Sequence, residues 1–314
     1  MKKFLKIFSF CFLIFALMYS GLIFYFVNDD QAVGASSGNQ TLTDKILNKF
    51  IKNDNELVFL LMGIDSKSVE EGEGQRTDTM MLCRYDDKTG KISILSIPRD
   101  TRAVIRGRNN KEKINHAHAY GGPEKAMKAV KDLLGVDVEY YVRVDYKIVK
   151  DVVDAIDGVE IDVPMRMYYN DPYADPPLHI DIKKGRQVLD GQKSLEYLRF
   201  RKGYNNQDLG RINAQQDFIK AAANKALELS ISDYDKFFKI FKSYVDNVDT
   251  NIPNTVMLKY GAKAKDINLN NLRMETLPGD AKMINGLWYF IPYEKQSIKM
   301  VEEMFNKDEK LEDK

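Results

Sequence analysis

Three short stretches set aspartates beside arginines: Gly63-Ile64-Asp65, Arg76-Thr77-Asp78-Thr79 and Pro98-Arg99-Asp100-Thr101-Arg102. Carboxylates of this kind suit a hard cation. Magnesium takes one or two protein carboxylates and completes its shell with phosphate oxygens and water. Arginine forks match phosphate oxygens in pairs. A second cluster holds Arg199-Phe200-Arg201, then Asp208-Leu209-Gly210-Arg211, then Gln215 and Gln216. If Leu198 to Arg201 is extended, Arg199 and Arg201 point the same way. Arg211 and Gln215 are four apart and share a helix face near its N-terminus, an end that itself favours an anion. Together these groups suit a ligand of high negative charge such as a diphosphate.

Each feature alone has a plainer reading. An aspartate at a strand end is more often a turn or cap residue, and Arg-x-Arg is usually a solvated edge. His116 and His118 have no further Cys or His nearby for a metal set. Lys113 and Asn115 are expected to line the pocket. Tyr168, Tyr169 and Tyr173 among Pro172, Pro176 and Pro177 form an aromatic loop, by default a packed one, with sugar stacking as the alternative.

The elements that must position these residues alternate between strand and helix. Leu57 to Met62 is an unbroken apolar run ending at Gly63, as in a strand buried on both faces. Thr79 to Tyr85 and Lys91 to Ile97 are two more strands around a hairpin loop at 86–90. Helices are expected at 123–134, stopped by Gly135, at 147–156, closed by Asp157-Gly158, from an Asp190 cap to about Tyr197, at 210–229, at 237–245 and at 255–264. Further strands are expected at 140–144, 159–163 and 273–277. The result is one α/β domain with a central mixed sheet, and the chemistry-bearing loops lie at strand ends, where ligands of sheet-based folds tend to bind.

Composition narrows the function. The chain has 314 residues, 44% hydrophobic and 30% charged, a globular balance. A net charge of +1 supplies no global field for nucleic acid, so no nucleic-acid partner is expected. Two cysteines and three histidines leave little for a disulfide framework or a zinc site. Lys2, Lys3 and Lys6 precede the uncharged run 7–27, and Asp29 and Asp30 follow it. That length spans a bilayer, and the charge bias puts residues 1–6 in the cytoplasm and everything after the span outside. A cleaved signal is the rival, with Val33-Gly34-Ala35 as its cleavage site, but the run is long for a signal peptide. Residues 28–55 form an extracellular linker with a short helix near 43–52, the folded domain covers 56–306, and 307–314 is a charged tail.

In their order, these motifs resemble the LytR-CpsA-Psr family of bacterial cell-wall enzymes. The match carries LLMGID (60–65), RTDTMML (76–82), SIPRDTR (96–102), KINHAHAYGG (113–122), LDGQKSLEYLRFR (189–201), DLGRINAQQ (208–216), METLPG (274–279) and INGLWYFIP (284–292). The resemblance implies an α-β-α sandwich carrying a polyprenyl pocket beside an arginine-lined diphosphate site, behind an N-terminal transmembrane helix. It implies a membrane-anchored phosphotransferase. The enzyme would move a glycopolymer, such as teichoic acid or capsule, from an undecaprenyl-diphosphate carrier to N-acetylmuramic acid of peptidoglycan at the cell membrane, with Mg2+, or Mn2+ in its place. Asp65 and Asp78 would hold the metal. Arg99, Arg199, Arg201 and Arg211 would bind the diphosphate, with Gln215 assisting and Lys113 as a weaker candidate. Asp208 would be the base, and Asp100 and Arg102 would support. Residues 202–207 depart from the family pattern, where acidic residues are common, which bears on polymer or acceptor preference. A polyprenyl-diphosphate hydrolase, with water replacing the sugar, and a non-catalytic envelope regulator are the alternatives.

Overall fold

The computed structural model describes residues 56–64, 74–173, 178–200, 203–204, 208–229, 233–262 and 269–305. The expected cytoplasmic stub 1–6, membrane anchor 7–27, linker 28–55 and tail 307–314 lie outside these residues. Among the described residues no helix is long and apolar enough to cross a membrane.

The apolar run at the start of the domain is strand β1 (Glu56–Ile64), followed by β2 (Thr77–Asp86) and β3 (Ile92–Ser96). In the turn between the last two, Asp86 Oδ1 accepts from the Lys88 and Thr89 amides at 2.9 and 3.1 Å. Gly90 there takes φ 63°, the left-handed region that favours glycine. A small ribbon, β4 (Arg102–Ala103) with β5 (Glu112–Lys113), leads into helix α1 (His116–Leu134). This helix begins earlier than the expected residue 123. Gly121 and Gly122 interrupt it, the latter at φ 64° and ψ −160°, and Pro123 opens its second piece. Gly135 at φ 73° caps it, its N–H reaching the Lys131 carbonyl.

Next come β6 (Tyr140–Val144), α2 (Tyr146–Ala155) and β7 (Val159–Val163), all near their expected places. The supposed aromatic loop is instead a hairpin of β8 (Met167–Asp171) and β9 (Leu178–Ile182). Strand β10 (Gly185–Leu189) pairs with β7. Helix α3 (Gly191–Arg199) is capped by Asp190, whose carboxylate accepts from the Lys193 amide. It continues to Arg199, and Phe200 is the first extended residue after it. Arg199 therefore ends a helix, and the strand-alternation argument that aimed it alongside Arg201 fails. The remaining elements are α4 (Asp208–Leu227), α5 (Tyr234–Asn247), β11 (Val248–Thr250), α6 (Asn254–Ala262), β12 (Leu272–Thr276), the hairpin β13 (Gly279–Ile284) and β14 (Leu287–Pro292), and α7 (Glu294–Phe305).

Six strands make the central sheet in the order β11-β6-β1-β2-β3-β12. The pairs β1/β6 and β3/β12 are parallel, while β1/β2, β2/β3 and β6/β11 are antiparallel. The sheet is mixed, as expected. Strand alternation divides its side chains between two cores. Leu57, Phe59, Leu61, Met81, Cys83 and Ile94 face helices α2 to α6, through residues such as Val149, Val153, Leu198, Phe218 and Phe237. Leu60, Met62, Met80, Leu82 and Leu95 face α1 and α7, through Ala126, Val130, Val301 and Met304. The sheet is thus covered on both sides, which explains the unbroken apolar run of β1 from Leu57 to Met62. Each buried Leu, Ile or Phe contributes about 1.5–3 kcal/mol, and this double burial holds the strand ends rigid beneath the polar loops.

Candidate functional site

The site forms at one edge of the sheet, where β1, β3 and β6 end and β2 begins. Register sets Gly63 opposite Thr79 and Ile64 opposite Thr77, so the pairing skips Asp78. Asp78 is the extra residue of a β-bulge, a device that re-aims a side chain at a sheet edge. Its side chain is 3% exposed, and Oδ1 accepts a hydrogen bond from Arg99 Nη1 at 2.7 Å. Arg99 continues the contact toward Asp100, Nε to Oδ2 at 3.8 Å, and Asp100 Oδ1 accepts from Lys113 Nζ at 2.9 Å. Asp78, Arg99, Asp100 and Lys113 form one row of alternating charge.

The loop carrying the row is held from three directions. Thr101 closes it on the Pro98 carbonyl through both N–H and hydroxyl, at 2.9 and 2.6 Å. The Ile114 and Asn115 amides donate to the carbonyls of Thr101 and Arg99. The Phe290 amide of β14 donates to the Asp100 carbonyl at 2.9 Å. Arg102 and Lys113 are partners across the β4–β5 ribbon. Both approach the Tyr289 ring, at 5.9 and 6.0 Å from its centre. Arg102 thus adds a cation next to the row.

Arg199 is nearly buried, 7% exposed, at the end of α3. That helix is seated against α2: the Gly191 amide donates to Asp154 Oδ1 at 2.8 Å. Asp65 and Arg201 lie outside the described residues. Asp208, Arg211 and Gln215 fall on α4, and their side chains lie outside the described set. The structure therefore brings together Asp78, Arg99, Asp100, Arg102 and Lys113 of the expected residues.

Beside Asp78 lies a cavity of about 570 Å³ lined by Gly74, Gln75, Arg76, Asp78, His116, Ala119 and Tyr120. Glu112 organises one wall. It accepts from Arg108 Nε at 2.8 Å and Tyr120 hydroxyl at 2.7 Å, and pairs with His116 Nδ1 at 3.1 Å. These hydrogen bonds, Arg108's foremost, hold the Glu112 carboxyl down at about 2. His116 Nε2 stands 3.5 Å from Arg76 Nη1. His118 points elsewhere, its Nδ1 2.7 Å from the Gln75 carbonyl. Glu112 and Tyr120 were not singled out in the sequence; Tyr120 lies four residues after His116 on the same helix face, while Glu112 reaches them from the preceding ribbon strand β5.

Two further polar residues were missed at the same edge. Asp145 follows β6 and caps α2, Oδ1 accepting from the Lys147 and Ile148 amides at 2.9 and 3.3 Å. It is fully buried, and burial raises its carboxyl to about 6. Arg143 within β6 is 6% exposed and pairs with Asp249 at 2.9 Å. A charged residue inside a strand buried on both faces is the signal for Arg143.

Among the described residues no three His, Cys, Asp or Glu side chains cluster as a metal cage. A bulge-borne buried carboxylate at the rim of a cationic loop fits an ion that takes one or two carboxylates and draws its other ligands from phosphate and water.

A mixed sheet covered by helices on both faces, with a charged rim at its strand ends, defines a layered α/β protein. The chain belongs to the LytR_cpsA_psr family, whose model matches residues 23–306. It is 33% identical over 76% of its length to the polyisoprenyl-teichoic acid–peptidoglycan teichoic acid transferase TagU of Bacillus licheniformis, covering 74% of that protein. Solved structures of the same fold include B. subtilis TagV, with TM-score 0.66 and 27% identity over 81% of this chain and 99% of that one. Another is TagT bound to LIIa-WTA, with TM-score 0.64 and 26% identity over 87% and 98%.

Proposed function

We propose that this protein is a phosphotransferase moving a teichoic-acid-type glycopolymer from a polyprenyl diphosphate to peptidoglycan. The observation that carries the reading is the Asp78–Arg99–Asp100–Lys113 row on the rim of a family-matched fold. The row offers cations where a diphosphate needs them, and TagU relatives are named for this transfer.

Arg99, Arg102 and Lys113 bind the diphosphate, with Arg199, Arg201, Arg211 and Gln215 completing the cradle. The acceptor sugar hydroxyl attacks the phosphorus that bears the glycopolymer. The bond from that phosphorus to the bridging oxygen breaks, and polyprenyl phosphate leaves. Asp208 takes the hydroxyl proton. Charge on the phosphoryl oxygens and on the leaving phosphate is neutralised by guanidinium and ammonium groups already in place, so positioning and electrostatics supply most of the rate. Asp65 and Asp78 would hold Mg2+, which neutralises phosphate charge when bound. The uncharged segment 7–27 is assigned as a membrane anchor that keeps the domain at the outer surface, where the lipid-linked donor lies.

The test is reconstitution. Full-length protein in detergent receives a polyprenyl-diphosphate-linked saccharide, Mg2+ and a peptidoglycan oligosaccharide, and products are read by mass spectrometry. A glycan–phosphate–glycan product is expected. Release of saccharide phosphate alone, indifferent to acceptor, assigns the site to hydrolysis instead.

A further inference from the structure

We propose that the cavity beside Asp78 is the acceptor subsite, binding a carboxylate-bearing glycan through Arg76, His116 and Tyr120. This deepens, and rests on, the transferase reading. The cavity touches the charged row at Asp78 but is not lined by Arg99, Asp100 or Lys113. In-line displacement at phosphorus sets the attacking and leaving oxygens on opposite sides. A nucleophile must therefore enter from a space that meets the site yet lies off Arg99 and Lys113, the cations of the row, and this cavity does so. Its volume, about 570 Å³, lies within the range of small-ligand sites and admits a sugar with its substituents.

The lining is fixed before any ligand arrives. Glu112 holds Tyr120 and His116 from behind, and the Arg108 guanidinium sits 4.5 Å from the centre of the Tyr120 ring. Tyr120 still has 41% of its surface exposed. With Nδ1 turned to Glu112, His116 leaves its Nε2 edge toward the cavity and Arg76, in reach of a sugar hydroxyl. Arg76 at 3.5 Å from that nitrogen adds a positive charge on the exposed side, suited to a carboxylate next to the hydroxyl. Aromatic surface, an imidazole edge and one cation are the recognition set of an acidic sugar. His116 is a positioning residue here, and the reacting phosphorus remains with the row.

The test separates acceptor from donor. Initial rates are measured with full-length protein, a polyprenyl-diphosphate-linked saccharide as donor and a peptidoglycan tetrasaccharide as acceptor. For Arg76→Gln and His116→Gln the acceptor KM is expected to rise about 10-fold, the loss of one hydrogen bond to a charged or strong partner. The donor KM is expected to stay within about twofold, with the same criterion of binding loss. An unchanged acceptor KM in both variants overturns the proposal, as does a donor KM that rises in step. Arg76 is exposed, so its variant keeps the fold. Titration of the tetrasaccharide without donor, followed by NMR, gives a readout independent of turnover. Saturable binding by the wild type that weakens in Arg76→Gln supports the subsite, and absence of wild-type binding overturns it. A wild type that binds the tetrasaccharide yet forms no glycan–phosphate–glycan product retains the subsite and overturns the transferase reading.

Discussion

Arg99 Nη1 donates to Asp78 Oδ1 at 2.7 Å, joining two loops 21 residues apart in the chain. The bulge at Asp78 and the Pro98–Thr101 turn are separate local structures, one set by strand register and the other closed by its own hydrogen bonds. Their meeting is what makes a site of the sheet edge. Both partners serve one group of atoms under the proposed function, so their losses should not add. Asp78→Asn and Arg99→Gln are each expected to slow transfer about 100-fold, the scale of losing one electrostatic stabiliser of a transition state. The double variant should lose little more. The Mg2+ concentration giving half-maximal rate should rise in Asp78→Asn and stay unchanged in Arg99→Gln. Equal metal dependence in the two would remove Asp78 from the metal.

Arg199 demands a different substitution, because it is 7% exposed and its stem packs in the helix layer. Truncation to Ala removes packing as well as charge. Arg199→Lys keeps most of the stem and the charge but gives up the planar fork. We expect Arg199→Lys to keep its melting temperature within about 2 °C, corresponding to about 1 kcal/mol or less, while transfer falls at least about 10-fold. Arg199→Ala should lose both. Wild-type transfer by Arg199→Lys would show that the residue only packs.

The sheet was legible because β1, β2, β3 and β6 are rich in apolar and β-forming residues, and the covering layers explain why β1 shows no alternation. The ribbons β8–β9 and β13–β14 were not. They are short, half-exposed pairs whose partner is their own neighbour. The row from Asp78 to Lys113 was foreshadowed by the order of the motifs at strand ends. The skipped register that aims Asp78 was not, since a bulge exists only in the pairing of two strands. Asp145 escaped because a helix-capping aspartate is ordinarily exposed, and nothing in its own neighbourhood in the chain announces its burial.

Gly191 has a steric duty. A Cβ there would lie 2.4 Å from the Lys150 carbonyl oxygen, and that oxygen belongs to backbone inside α2. Neither helix can give way cheaply. Gly191→Ala should separate α3 from α2, displace Arg199 and cost about 1–3 kcal/mol, the range for overpacking. Chemical denaturation measures the cost, and transfer should fall with it. A variant as stable as the wild type would show that α3 shifts freely.

Asp145 sets a dependence of stability on pH. Burial holds its carboxyl at about 6 in the folded protein, against about 4 in an unfolded chain. The folded state keeps the proton to higher pH, so between these values it binds more protons than the unfolded state. Stability then falls as pH rises from about 4 to about 6 and is level beyond. A shift of about two units corresponds to about 3 kcal/mol at neutral pH. Asp145→Asn keeps an oxygen for the Lys147 and Ile148 amides and carries no charge. Its stability advantage over the wild type should therefore be small at pH 4 and grow to a plateau above pH 6, on the scale of that same shift of about 3 kcal/mol. Asp145→Ala loses the cap at every pH, about 1 kcal/mol. Urea titrations of the three proteins between those limits decide the matter. A difference between wild type and Asp145→Asn that does not vary with pH would mean that the carboxyl titrates alike in the folded and unfolded chain.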